Sequence, residues 1–495
     1  MIELSIERIA EIVGGRLVDV SPQQAAATVT STVEFDSRSV TAGGLFVALP
    51  GARSDGHDFA RAAVQAGAVA VLAARPVGVP AIVVPPAPPA DARAGVLEHD
   101  TDGAGSAVLA ALARLASAVA ADLVARGLRI IGITGSSGKT STKDLIAAVL
   151  RPLGEVVAPP GSFNNELGHP WTVLRATGQT DFLVLEMSAR HEGNIAALAA
   201  IAPPAVGVVL NVGTAHLGEF GSREMIARTK GELVEALPPS GVAILNADDP
   251  LVAAMATRTS ARVVTVGLSP TADVRAEDVT LDELARPRFT LCTPAGTAAV
   301  ELAVHGEHQV GNALSAAAVA LECGATPAQV ARALAGAAPM SRHRMEVSTS
   351  PGGVTVINDA YNANPDSMRA GLQALAAMSR DAGRRSWAVL GEMAELGSDS
   401  ITEHDRIGRL AVRLDISRLV VVGTGRPMSA MHHGAVMEGS WGSESVAVPD
   451  AQAALALLRA ELAPGDVVLV KASNAAGLGS LAEALLSPAA RDDAG

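Results

Sequence analysis

The stretch Gly132-Ile133-Thr134-Gly135-Ser136-Ser137-Gly138-Lys139-Thr140 has the residue types of a phosphate-binding loop between a buried strand and a helix. Glycines let the backbone wrap an anion with its N–H groups inward, and a helix N-terminus adds a favourable field. Lys139 would reach the terminal phosphates, and the Thr140 hydroxyl would ligate Mg2+. The standard spacing is G-x-x-x-x-G-K-[ST]. Here Ile133 takes the first glycine position, so the motif is the shorter G-x-x-G-K-T. It predicts ATP held by Gly135, Ser136, Ser137, Gly138, Lys139 and Thr140, against the bland alternative of a glycine-rich turn.

Three other residues bear on that chemistry. The apolar run Phe182–Leu185 delivers Glu186 to the carboxyl end of a strand, where parallel sheets gather their ligand groups. Glu186 is therefore a candidate Mg2+ ligand, although a lone strand-end carboxylate is usually just solvated. His216 follows another such strand, and a second metal ion there is one reading, a hydrogen-bonded structural histidine the other. Lys230 falls on a helical stretch, Ser222–Leu237, whose other positives are arginine. A neutral lysine amine can add CO2 to give a carbamate, an anionic oxygen ligand for Mg2+, which arginine cannot do.

The chain uses lysine sparingly. Of 38 basic residues four are lysines, Lys139, Lys143, Lys230 and Lys471, and Tyr361 is the sole tyrosine. A net charge of −13 and only 11 aromatics exclude a basic nucleic-acid face or a base-stacking platform. Cys292 and Cys323 form no metal or disulfide spacing, which fits a reducing cytoplasm. The longest uncharged apolar stretch, residues 195–210, has 16 residues and contains Pro203-Pro204. About 20 are needed to cross a bilayer, so no membrane insertion is expected.

Length predicts about three domains, with boundaries placed at 1–103, 104–338 and 339–495. The first has short apolar runs at 44–49, 69–73 and 81–84 and ends near a proline-rich loop at 85–89. From 104 a long helix leads into apolar strands at 129–133, 182–185, 206–210, 242–245 and 263–266, alternating with helices, the pattern of a parallel α/β sheet. Residues 272–305 alternate like a small antiparallel β appendage. The third unit repeats the α/β pattern, with strands at 354–357, 387–390, 419–422 and 467–470. Its Gly423-Thr424-Gly425 is too little to place NAD. The last residues, 487–495, read as a frayed tail.

Taken together these motifs resemble the Mur ligase family over nearly the whole chain. The resemblance is carried by Asp36-Ser37-Arg38, Asp55-Gly56-His57-Asp58-Phe59, the phosphate loop, Asn164-Asn165-x-Leu167-Gly168 and Ala215-His216-Leu217. It extends through Leu245-Asn246-x-Asp248-Asp249 and Gly306-x-His308-x-x-x-Asn312. Most discriminating are Asn358-Asp359-Ala360-Tyr361-Asn362-Ala363-Asn364-Pro365 and Leu390-Gly391-Glu392-Met393-x-Glu395-Leu396-Gly397. These point to the branch that joins D-alanyl-D-alanine to a UDP-N-acetylmuramoyl-tripeptide.

The resemblance implies a UDP-binding domain, a central ATPase and a Rossmann-like third domain, working as a monomer in the cytoplasm. The implied reaction makes an amide through an acyl phosphate. Lys139, Thr140 and Glu186 would serve the phosphates and one Mg2+, and His216 with a carbamylated Lys230 a second. Asn164 and Asn165 would touch phosphate oxygens and Asn312 the adenine. Arg344 and Asp359 would reach the nucleotide from the third domain. Tyr361, Asn362 and Asn364 would line the dipeptide side, and Ser37 and Arg38 the UDP. Two departures stand out. Asn474 replaces an arginine usual in relatives, and no glycine precedes Arg344, which leaves Arg342 as an alternative. A kinase or simple NTPase, the ligase acting one step earlier, a folylpolyglutamate synthetase or a non-catalytic regulator remain the competing readings.

Overall fold

The computed structural model describes residues 1–51, 54–85, 100, 102–214, 217–380, 383–439 and 444–487. His216, most of the 85–89 stretch and the tail beyond Ser487 lie outside the described residues.

Near the N-terminus, β1 (Arg16–Val18), β2 (Val33–Glu34), β3 (Leu45–Val47), β4 (Ala70–Ala73) and β5 (Ala81–Val83) form a five-stranded sheet in the order β1-β5-β4-β3-β2. Only β1 runs antiparallel to its neighbour. Helix α1 (Ala104–Ala125) follows. Among the described residues it alone is long and apolar enough to cross a membrane. Its apolar surface is used internally, since Leu112, Leu115 and Val119 share one core with Ile9 and Val13 on one side and Leu183 and Leu185 on the other. Arg114 ties it further by donating to the Val13 carbonyl at 2.7 Å.

The central sheet has nine strands, β6 (Arg129–Thr134), β7 (Val156–Val157), β8 (Phe182–Glu186), β9 (Val206–Val209), β10 (Val242–Asn246), β11 (Arg262–Gly267), β12 (Val274–Leu281), β13 (Pro287–Thr293) and β14 (Gly296–Glu301). Their order is β14-β13-β12-β11-β10-β9-β6-β8-β7. All pair in parallel from β7 to β12, and β13 and β14 turn antiparallel. The β appendage expected over 272–305 is therefore not a separate body, because β12 pairs in parallel with β11 and extends the main sheet. Three helices matter for the site: α2 (Lys139–Leu150), α3 (Arg223–Glu235) and α4 (Gln309–Glu322).

In the third unit β15 (Glu346–Thr349), β16 (Thr355–Asn358), β17 (Ser386–Leu390), β18 (Arg418–Val422), β19 (Ser445–Val448) and β20 (Val467–Lys471) form a six-stranded sheet ordered β15-β16-β20-β17-β18-β19. It is parallel except at the β15 edge. Helix α5 (Pro365–Arg380) and helix α6 (Leu478–Leu486) pack on it. The carboxyl ends of β6, β8 and β9 meet the carboxyl ends of β16 and β20, and the functional cavity opens between them.

Candidate active site

The phosphate loop connects β6 to α2, and Gly138 shows why glycine is needed there. Its φ is +81°, and a Cβ would come within 2.7 Å of the Asn312 carboxamide oxygen. Asn312 is itself tied to Gln309 at 2.9 Å. Lys139 folds back so that its Nζ donates to the Gly135 carbonyl at 2.8 Å. Burial lowers the Lys139 pKa; Glu186 opposes that shift and Arg344 adds to it. Not every loop N–H is open to an anion: those of Ser136 and Ser137 both donate to Asn211 Oδ1 at 2.9 Å. The N–H groups of Gly138 and of the first turn of α2 stay available to an anion.

Behind the loop, oxygen atoms converge. Glu186 Oε2 accepts from Thr140 Oγ1 at 3.2 Å, Ser162 Oγ at 3.1 Å and Asn164 Nδ2 at 3.3 Å. Its other oxygen, Oε1, is buried with no hydrogen-bond partner and lies 3.8 Å from Lys143 Nζ. A carboxylate and two hydroxyls within reach of one another form a hard-oxygen donor set, which fits a divalent cation such as Mg2+. Asn165 is less available than its motif suggests, because its Oδ1 accepts from Gly168 N–H at 2.9 Å.

The third unit supplies the facing wall. Arg344 lays its guanidinium 4.1 Å from the Tyr361 ring centre and donates to Thr140 Oγ1 at 3.3 Å. Arg342 instead points outward, 77% exposed and paired with Glu483 at 2.9 Å. Of the two arginines, Arg344 is the one at the cavity. The backbone explains the unusual histidine before it. His343 has φ +57° and Met345 φ +51°, left-handed conformations that glycine adopts freely. His343 Nε2 lies 3.0 Å from Glu483 on α6. His343→Gly is expected to stay within about 1 kcal/mol of the original stability, and His343→Val to lose about 2 kcal/mol. Thermal unfolding of the two variants measures this, and equal losses would sink the backbone explanation.

Asp359 joins Lys471 in a buried ion pair at 2.6 Å and also accepts from Met345 N–H at 3.1 Å. Asn364 reaches the Ser136 carbonyl at 3.5 Å. Asp366 accepts from Thr214 N–H at 3.1 Å, a contact between units. The linker is anchored just upstream. Ser341 N–H donates to Asp144 at 3.0 Å, and its hydroxyl accepts from Gly161 N–H at 3.1 Å.

The result is a cavity of about 660 Å³ between the central and third units. Ser136, Ser137, Gly138, Lys139, Thr140, Asn164, Asn165, Asn312, Arg344, Asp359, Tyr361, Asn362 and Asn364 all line it. Gly135 and Glu186 sit just behind its wall. Lys230 is buried on α3 and makes no hydrogen bond or ion pair with a described residue. Burial first, then the charge of Lys139, hold its amine well below the usual lysine range. Ser37 and Arg38 are not brought to the cavity. Arg38 is 88% exposed on the N-terminal unit and grips Asp36 at 2.7 Å. Sequence reasoning missed the roles of Asn211 in shaping the loop and of Ser162 in the oxygen cluster. For Asn211 the available signal was its place directly after a strand that ends at the same sheet edge.

Three family models match in order along the chain: the Mur ligase family catalytic domain at residues 30–119, the Mur ligase middle domain at 133–320 and the Mur ligase glutamate ligase domain at 343–474. A UDP-N-acetylmuramoyl-tripeptide--D-alanyl-D-alanine ligase of Mycobacterium tuberculosis is 72% identical, covering 98% of each chain. The Escherichia coli ligase of the same name is 35% identical over 86% of each. The crystal structure of MurF from Acinetobacter baumannii superposes with a TM-score of 0.81 at 29% identity, covering 98% of this chain and 99% of that one. MurF from Thermotoga maritima in complex with ADP gives 0.75 at 28% identity, covering 92% and 97%. With the same domains in the same order and a shared fold through nearly every residue, this chain belongs to the Mur ligase family.

Proposed function

We propose that the chain is an ATP-dependent peptide ligase that joins D-alanyl-D-alanine to UDP-N-acetylmuramoyl-tripeptide, completing a pentapeptide precursor of peptidoglycan. The observation that carries this reading is the cavity in which a phosphate loop faces Arg344, Tyr361 and the Asp359–Lys471 pair. A carboxylate is a poor electrophile, so it must first gain a good leaving group. The tripeptide carboxylate attacks the γ-phosphoryl group of ATP, giving an acyl phosphate and ADP. The dipeptide amine then adds to the acyl carbon, a proton is lost, and phosphate leaves as the amide forms. Two anions meet in the first step, so fixed cations are required.

Lys139 and Arg344 supply that charge from opposite walls, and the first turn of α2 supplies N–H donors. Thr140 and Glu186, with Ser162, would hold one Mg2+, and His216 with a carbamylated Lys230 a second. Bound there, the ions would offset phosphate charge. A charged ammonium cannot ligate a cation, whereas the buried, neutral-leaning amine of Lys230 is suited to adding CO2. Asn164, Asn165 and Asn312 serve the nucleotide, Asn362 and Asn364 the dipeptide, and Ser37 and Arg38 the UDP. The three units span 1–103, 104–338 and 339–495. Dependence on ATP and a UDP-linked substrate suits the cytoplasm.

ADP release should rise sharply when D-alanyl-D-alanine is added to enzyme, ATP, Mg2+ and UDP-N-acetylmuramoyl-tripeptide. Turnover that ignores the dipeptide would instead indicate an NTPase or kinase.

A further inference from the structure

The acceptor dipeptide brings more than its amine. It carries a free carboxylate at its far end, which must enter a cavity already lined by Asp359, Asp366 and Glu395. Most cations of that cavity are committed elsewhere: Lys139 to the phosphate loop, Arg344 to Tyr361 and Thr140, Lys471 to Asp359. Arg190 is different. It follows β8 beyond Glu186 and Ser188, lines the cavity, and keeps 46% of its side chain exposed.

Resting on the ligase reading above, we propose that Arg190 is the residue that reads the free carboxylate of the acceptor dipeptide, with Glu395 of the third unit orienting its guanidinium. Arg190 NH2 donates to Glu395 Oε1 at 3.1 Å. That contact uses one of five guanidinium donors and leaves a planar edge able to take a carboxylate through two parallel hydrogen bonds.

The platform under Arg190 is rigid. Asn194 Oδ1 accepts from the N–H groups of Arg190 at 3.0 Å and His191 at 3.1 Å. Glu232 on α3 in turn accepts from Gly193 at 2.6 Å and Ala196 at 2.9 Å. Preorganisation of this kind keeps a long side chain from losing its gain to entropy.

Glu395 adopts φ +62°, a left-handed conformation uncommon for glutamate, which fixes where its carboxylate stands beside Arg190. Asn474 belongs to the same corner, since Ala394 N–H donates to Ser473 Oγ at 2.9 Å. Asn474, which carries no charge, and Arg190 line the same cavity.

The test compares D-alanyl-D-alanine with its C-terminal amide as acceptors, using ADP release by the full chain. The unmodified enzyme should prefer the acid. Arg190→Ala should raise KM for the acid by about 10- to 100-fold, leave KM for ATP unchanged and use acid and amide equally. Arg190→Lys should recover part of the preference. If Arg190→Ala keeps the original preference for the acid, the proposal is overturned, whatever its effect on rate. Thermal unfolding of the variant separates this from misfolding. Absence of dipeptide-dependent turnover in the unmodified enzyme would overturn the ligase reading itself, a different outcome.

Discussion

Lys230→Ala should lower ligase turnover by about 10²–10³-fold, and millimolar acetate or propionate should restore part of it. The argument begins with burial: Lys230 is 5% exposed and has no carboxylate partner among the described residues. An ammonium left so would be costly, and the amine is accordingly biased towards its neutral form. A neutral amine can add CO2 and release a proton, and the carbamate that results is an anion able to ligate Mg2+. A small carboxylic acid filling the space left by alanine would supply the same oxygen pair. Lys230→Arg should remain inactive, because a guanidinium stays protonated and forms no carbamate. Full activity in that variant would defeat the idea. Enrichment with 13CO2 gives a second measurement, since a carbamate carbon would appear in the native protein and vanish in Lys230→Ala.

Lys471→Met should cost about 3–5 kcal/mol of stability and nearly all turnover. Lys471 is 2% exposed; its Nζ meets Asp359 at 2.6 Å and the Asn362 carbonyl at 3.0 Å. Removing the cation leaves the Asp359 carboxylate without its charge partner, and Asp359 also holds Met345 next to Arg344. The damage would then reach the cavity wall at Arg344 through backbone rather than by direct contact. Asp359→Asn in the Lys471→Met background should recover part of the stability but not the activity. Denaturant unfolding and ADP release together check both halves. A single variant as stable as the original would show that the pair is not a structural support.

Local patterns in the chain account for much of this. The loop, the strand that delivers Glu186 and the central strands of both large sheets are contiguous runs, so period and punctuation reveal them. Arg344 was legible as one of two arginines, and only the fold separates it from Arg342, which turns outward to Glu483 while Arg344 reaches the cavity. Other features carry no local signature. β7 has two residues and β2 two, too short for any periodicity, and they exist because a neighbouring strand offers an unpaired edge. Asn211 shapes a loop 74 or 75 positions earlier in sequence, a contact that no local pattern encodes. Lys471 was notable for its rarity and for its place in the segment that ends at Asn474, but nothing local pairs it with Asp359, 112 positions away.

Ser341 is held by Asp144 and Gly161 of the central unit, whereas Arg342 and His343, next in sequence, are held by Glu483 of the third. Ownership of the chain thus changes across one peptide bond, with Arg344 two residues beyond it. A swing of the third unit about that link would carry Arg344 on a very short arm. Large displacement of the outer sheet would translate into small travel of the guanidinium. Such gearing would let the molecule open wide for a bulky nucleotide-linked peptide while Arg344 stays close to its working position.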